Sequence, residues 1–166
     1  MIKMNASFEE KKISLYKQQL TAIYADSGII QVFHGEELEV YWKYNQRKSL
    51  ASSVERKAYS YYDSAKHVYL DKGEPYAKAK AYFLANRSIF SKGEVVIFFL
   101  LFKGEYFGLK LLFDKEEIAK MTTNHQVDLL LINEDLTKLL GLDILEYTIE
   151  VIVGTKEDEE DTAKSN

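Results

Sequence analysis

The sequence predicts an α+β fold with a mainly antiparallel sheet of about five or six strands and with helices concentrated in the N-terminal half. Two observations predict it. Residues 94–113 have the pattern of a β-hairpin, since the apolar runs "EVVIFFLLF" and "YFGLKLLF" flank a short turn, "KGE". The other strand-like runs follow one another in hairpin-like order, and segments with helical spacing gather in the first half of the chain.

The first predicted element is a helix over about residues 8–25. Ser7 and Glu10 in "SFEE" have the spacing of a capping box, and Gly28 lies just beyond the predicted end. Between these signals, apolar residues recur at the spacing of one helix face: Ile13, Tyr16, Leu20 and Ile23.

The middle of the chain predicts two strands and then two helical segments. "GIIQVFHGEELEVYWKY" reads as strands joined by a turn near Gly35, with Trp42 on the second strand. Ser49 is placed to cap a helix that runs to about Leu70. Residues 75–88 favour a helix because they are rich in alanine, although their alternating lysines would also fit a strand.

After the hairpin, the sequence predicts two short helices and two strands. Asp114 opens a helix that ends near Met121, "VDLLLIN" is a strand, Asn133 caps a further short helix, and "DILEYTIEVIV" is the final strand. We therefore expect one globular domain over residues 1–154. Residues 155–166 carry "EDEED" and no long apolar run, which predicts a disordered acidic tail, either a solvated end or a segment that competes for a basic surface.

Composition narrows the classes of function. Hydrophobic residues make up 46% of the 166 residues, so a folded core is expected, and the absence of cysteine excludes disulfides and Cys-ligated metal sites. There is no apolar run long enough to span a bilayer and no signal-like N-terminus, so we expect a soluble, intracellular protein rather than a membrane protein. The sequence also lacks a recognisable catalytic, phosphate-binding or cofactor motif, and it predicts neither a cofactor nor a metal site.

Charge is distributed unevenly along the chain. The formal net charge is −4, yet residues 43–92 carry eleven lysines and arginines against four acidic residues. Tyrosines are interleaved with these cations, above all in "KAYSYYDSAKHVYL" at 57–70. On a helix over 50–70, Tyr61 would lie in the core stripe, whereas Tyr59, Tyr62 and Tyr69 would lie at its edge or beyond.

This pattern predicts a non-enzymatic protein that binds single-stranded nucleic acid, with cations on phosphates and tyrosines stacked on bases. The alternative is a protein-interaction module, such as an inhibitor, an adaptor or a homodimer, because protein interfaces favour the same residue types. An active site built from residues distant in sequence would not be visible at this level. The candidate binding residues in either case are Arg47, Lys48, Arg56, Lys57, Tyr59, Tyr62, Lys66, Tyr69, Tyr76, Lys78, Lys80 and Arg87.

Overall fold

The computed structural model describes residues 2–46, 53–122 and 126–155, which form an α+β fold with four α-helices and nine strands. The helices are α1 (Ile2–Ile23), α2 (Glu39–Gln46), α3 (Gly73–Ala85) and α4 (Lys115–Met121). The strands are β1 (Ile29–His34), β2 (Ser53–Ser60), β3 (Tyr62–Asp63), β4 (Val68–Tyr69), β5 (Val95–Phe102), β6 (Glu105–Leu112), β7 (Leu129–Asn133), β8 (Lys138–Ile144) and β9 (Thr148–Thr155).

Seven strands form one antiparallel sheet in the order β1-β6-β5-β7-β8-β9-β2, and β3 and β4 form a separate hairpin. The predicted hairpin at 94–113 is confirmed as β5 and β6. Its turn residues Lys103 and Gly104 both have positive φ, 51° and 83°. Positive φ at both central residues gives the turn the twist that two paired strands require.

Both faces of the large sheet carry apolar side chains. Helices α1, α3 and α4 cover one face through residues such as Leu20, Phe83 and Ile118, all fully buried. The other face is covered in part by α2 and by the 3-10 turn Gly35–Leu38 that precedes it. Close packing there requires Gly108, since a Cβ atom on it would lie 2.5 Å from Leu38 Cδ2. Strands buried on both faces explain the continuous apolar runs of the sequence.

Two predictions for the N-terminal region are wrong. Helix α1 begins at Ile2, so the predicted start near residue 8 is wrong and Ser7 and Glu10 lie within the helix. Residues 39–46 form α2 and not a second strand. Trp42 accordingly lies on a helix, where its ring packs against Phe99 at 5.1 Å between centroids.

The helix predicted between Ser49 and Leu70 is also wrong for the described residues, although Ser49 itself lies outside them. Residues 53–60 form β2, which pairs with β9 along its whole length, from Ser53 opposite Thr155 to Ser60 opposite Thr148. Apolar residues in this segment have helical spacing, which wrongly predicted a helix. The strand that pairs with residues 53–60 is β9, about ninety residues further along the chain, so the local spacing did not reveal it. Tertiary pairing of this kind overrides a local pattern. The helix at 75–88 is confirmed as α3.

In the C-terminal half, Asp114 caps α4 as predicted, accepting hydrogen bonds from the N–H groups of Glu116 and Glu117. The helix predicted after Asn133 is wrong, because the chain turns there and continues as β8. Asn133 does bind backbone N–H groups, as a cap would, but these groups belong to the turn between β7 and β8.

In the described part of the chain, no helix has the length and apolar character needed to cross a membrane.

Candidate partner-binding surface

Three tyrosines from two distant segments meet at one end of the sheet. The rings of Tyr62 and Tyr69, opposite each other in the β3–β4 hairpin, lie 5.0 Å apart, and Tyr147 lies 4.7 Å from Tyr62. Tyr69 and Tyr147 are stacked with an angle of 13° between their planes. Val68, Leu70 and Leu145 are exposed beside them in sequence. We call these six residues the tyrosine surface.

Tyr61 holds the two segments of the tyrosine surface together. Its side chain is buried, as the sequence predicted, and its hydroxyl donates a hydrogen bond to the carbonyl oxygen of Leu145. Its backbone N–H donates to the carbonyl of Tyr147 at 3.1 Å, and its carbonyl accepts from Leu70 at 2.7 Å. One buried residue thus fixes the hairpin against the β8–β9 turn, so the exposed rings stand on an ordered support.

The tyrosine surface is largely accessible. Tyr69 and Tyr147 are 58% and 46% exposed, and each neighbouring aliphatic side chain is also exposed. Partial burial and the nearby charge of Glu146 raise the pKa of Tyr69. A hydrogen bond to Glu146 raises the pKa of Tyr147. Both hydroxyls therefore stay neutral at physiological pH. The Tyr69 hydroxyl can donate a hydrogen bond to a partner, whereas the Tyr147 hydroxyl donates to Glu146 and can accept one from a partner.

Charges of both signs lie around the tyrosine surface, with one more carboxylate than lysine. Lys66 and Lys72 lie in the adjoining segments together with Asp63, Asp71 and Glu146. The Lys72 ammonium lies 5.0 Å from the centre of the buried Tyr61 ring. Asp63 accepts hydrogen bonds from two N–H groups in the hairpin turn, including that of the exposed Lys66. The local field therefore does not select strongly for an anion.

The two predicted cations of β2 lie on opposite faces of the sheet, because successive residues of a strand alternate. Arg56 forms an ion pair with Glu150 at 2.8 Å. Lys57 lies over the rings of Tyr59 and Tyr82, at 5.7 and 4.8 Å from their centres. The half-buried Tyr59 packs against the core. These residues do not join the tyrosine surface.

The candidates on α3 and after it are held by neighbouring groups. Lys78 pairs with Glu74 at 3.1 Å, and Lys80 donates to the carbonyl of Thr122 at 2.9 Å. Arg87 donates to the carbonyls of Leu84 and Lys115.

Tyr76 is only 5% exposed, and its hydroxyl donates to the carbonyl of Val127 at 2.9 Å, so its ring lies in the core. Arg47 and Lys48 lie outside the described residues. Of the twelve candidates, the structure brings Tyr62 and Tyr69 into close contact, with Lys66 in the turn between them.

Sequence reasoning missed Tyr147 and its apolar neighbours. Tyr147 and Leu145 lie in the turn between β8 and β9, about eighty residues after the hairpin that they contact. One feature of the sequence could have identified them. The segment "LEY" at 145–147 has two large apolar or aromatic side chains, whereas turns usually consist of polar residues.

Within the described ranges there is no group of three or more histidine and carboxylate side chains that could hold a metal ion. Comparisons with protein-family models, curated proteins and solved structures found no match to this chain.

Proposed function

We propose that this chain is a non-enzymatic binding protein and that its partner is another protein, which docks on the tyrosine surface. The observation that carries the proposal is the cluster of exposed tyrosine, leucine and valine side chains on an ordered hairpin and turn. Aromatic residues that combine a large apolar ring with a hydroxyl are enriched at protein interfaces, where they often supply most of the binding energy.

Electrostatics favour a protein over a polyanion. Of the predicted phosphate-binding residues, Arg56 and Lys78 are in ion pairs, and Arg87 binds carbonyl oxygens. A nucleic acid would have to compete with these contacts. It would also approach a surface bordered by three carboxylates, whereas a protein interface tolerates mixed charge at its rim.

Single-stranded nucleic acid remains the second candidate because one observation favours it. Lys66 is exposed in the hairpin turn between the half-buried Tyr62 and the exposed Tyr69, and Lys72 follows the hairpin closely in sequence. A strand that crosses the hairpin would meet stacking rings and two ammonium groups, which is the combination that sequence-tolerant binding uses.

The test compares the wild-type chain with a Tyr69→Ala/Tyr147→Ala double variant. Tyr106→Ala is the matched control, since Tyr106 is exposed to a similar degree (49%) on β6, away from the β2–β9 side of the sheet. Each chain is immobilised and exposed to a lysate of the source organism at about 0.5 M salt, where contacts between exposed charges are screened. Any retained protein is then purified and its affinity is measured directly.

We expect the partner to bind the wild-type chain and the Tyr106 control with equal affinity. Its affinity for the double variant should be at least about thirtyfold weaker, which is the size of loss that follows removal of hot-spot residues from an interface. Equal binding by the double variant would refute the tyrosine surface as the docking site. Binding of fluorescent single-stranded oligonucleotides that vanishes at high salt and in the double variant would replace the protein partner with nucleic acid. Concentration-dependent dimerisation that the double variant loses would identify a second copy as the partner.

A further inference from the structure

Strand β2 lies at the edge of the seven-stranded sheet. In the described part of the chain it pairs with β9 along one side, and no strand lies along its other side. The side chains of residues 55–58 are all exposed. An open edge of this length presents a row of backbone N–H and C=O groups, which is a template for pairing with a further strand.

The pairing with β9 shows which backbone groups of β2 point outward. The N–H of Tyr61, the residue after β2, donates to the carbonyl of Tyr147 at 3.1 Å and so points toward the β9 side. Backbone groups of successive residues alternate between the two sides of a strand, and β2 pairs with β9 without a register shift. The N–H and C=O groups of Val54, Arg56 and Ala58 therefore point toward the open edge.

A second β2 strand in antiparallel orientation fits this edge in few registers. Outward-pointing residues must lie opposite one another, because opposite residues of an antiparallel pair either exchange both hydrogen bonds or exchange none. The central registers that satisfy this condition place a two-fold axis at Glu55, at Arg56 or at Lys57. An axis at Glu55 sets two glutamates opposite each other, and an axis at Lys57 sets two lysines opposite each other. Both arrangements are destabilising.

The axis at Arg56 is the register with complementary charges. It sets Glu55 of each copy opposite Lys57 of the other copy, once on each side of the axis. These two residues exchange no backbone hydrogen bonds in this register, so their side chains approach closely. Arg56 is itself paired with Glu150 at 2.8 Å, so the axis brings together two ion pairs and not two unpaired cations.

We propose that β2 is a self-pairing edge, through which two copies of this chain form a two-fold symmetric dimer with one continuous antiparallel sheet. Charges on an edge strand usually prevent it from pairing with other strands. On β2 they repel a second copy in the neighbouring registers and attract it in this one, so they select both partner and register. Because both copies use the same edge, the contact closes at two copies. The residues that pair, 53–59, lie outside the tyrosine surface, so the dimer does not depend on the function proposed above.

The test measures self-association of the full chain by sedimentation equilibrium. For a contact limited to two edge strands we expect a dissociation constant on the order of 100 µM, since small interfaces are weak. Lys57→Glu and Glu55→Lys each set like charges opposite each other at both positions, so each variant alone should dimerise about tenfold or more weakly. An equimolar mixture of the two variants should recover the wild-type affinity, because each chain then meets the opposite charge. Recovery also shows that both variants are folded.

Lys92→Glu is the matched control, since Lys92 is an exposed lysine in the turn before β5, away from the β2 edge. This variant changes the net charge as Lys57→Glu does and should dimerise like the wild type. The Tyr69→Ala/Tyr147→Ala double variant should also dimerise like the wild type, which separates this contact from docking on the tyrosine surface. Four results overturn the proposal: no association at concentrations up to about 1 mM, equal affinity in Lys57→Glu and Lys92→Glu, no recovery in the mixture, or loss of the dimer in the double tyrosine variant.

Discussion

Replacing Asn133 by alanine should destabilise the fold strongly, because this one buried amide serves four polar groups around the β7–β8 turn. Its Oδ1 accepts hydrogen bonds from the N–H groups of Thr137 and Lys138, both at 2.9 Å. Its Nδ2 donates to Thr137 Oγ1 at 2.8 Å and to Glu94 Oε2 at 3.0 Å. The side chain is 1% exposed, so water has little access to replace these contacts.

The expected cost follows from these contacts. Each hydrogen bond contributes about 1 kcal/mol net, so the loss of all four should lower the free energy of unfolding by roughly 4 kcal/mol. That is a large fraction of the stability of a typical domain, about 5–15 kcal/mol. Urea denaturation followed by circular dichroism measures it as a lower midpoint at an unchanged m-value.

Asn86→Ala is the matched control. Asn86 is half-buried, and its Nδ2 donates one hydrogen bond, to the carbonyl of Tyr82 at 2.9 Å. That variant should lose only about 1 kcal/mol. If Asn133→Ala cost no more than the Asn86 variant at the same m-value, the turn would not depend on Asn133 and the reasoning would be refuted.

Three further predictions concern stability. Gly108→Ala should cost about 1–3 kcal/mol in urea denaturation, since its Cβ would lie 2.5 Å from Leu38 Cδ2 and 2.8 Å from Ile97 Cγ2; an unchanged midpoint would contradict this packing. Burial opposes ionisation of Glu94, yet hydrogen bonds from its neighbours hold its pKa below the ordinary 4.5. Its ionised form therefore contributes stability above pH 4.5 that is lost as the pH falls through the folded value, and Glu94→Gln should show a flatter loss of stability in acid. Tyr76→Phe should lower the unfolding free energy by about 1–2 kcal/mol by thermal denaturation, whereas no change would show that its buried hydroxyl is dispensable.

The candidate site was only partly visible in the sequence. Tyr62 and Tyr69 stood out because they lie close together among cations, and they do meet in space. Tyr147 carried no comparable signal, since it joins them only through the pairing of β2 with β9. The sequence also did not show that Arg56 pairs with Glu150 or that Arg87 binds the carbonyl of Lys115, because these partners are distant in the chain.

The sequence by itself determined the antiparallel α+β class, the β5–β6 hairpin and the capping of α4 by Asp114. Each depends on residues that are near neighbours: paired apolar runs around a two-residue turn, or a carboxylate beside the first N–H groups of a helix. Tertiary structure alone decided that residues 53–60 are a strand, that Asn133 supports a turn, and which tyrosines face solvent. Those outcomes depend on pairing and packing between residues far apart in the chain, where long-range contacts outweigh local preference.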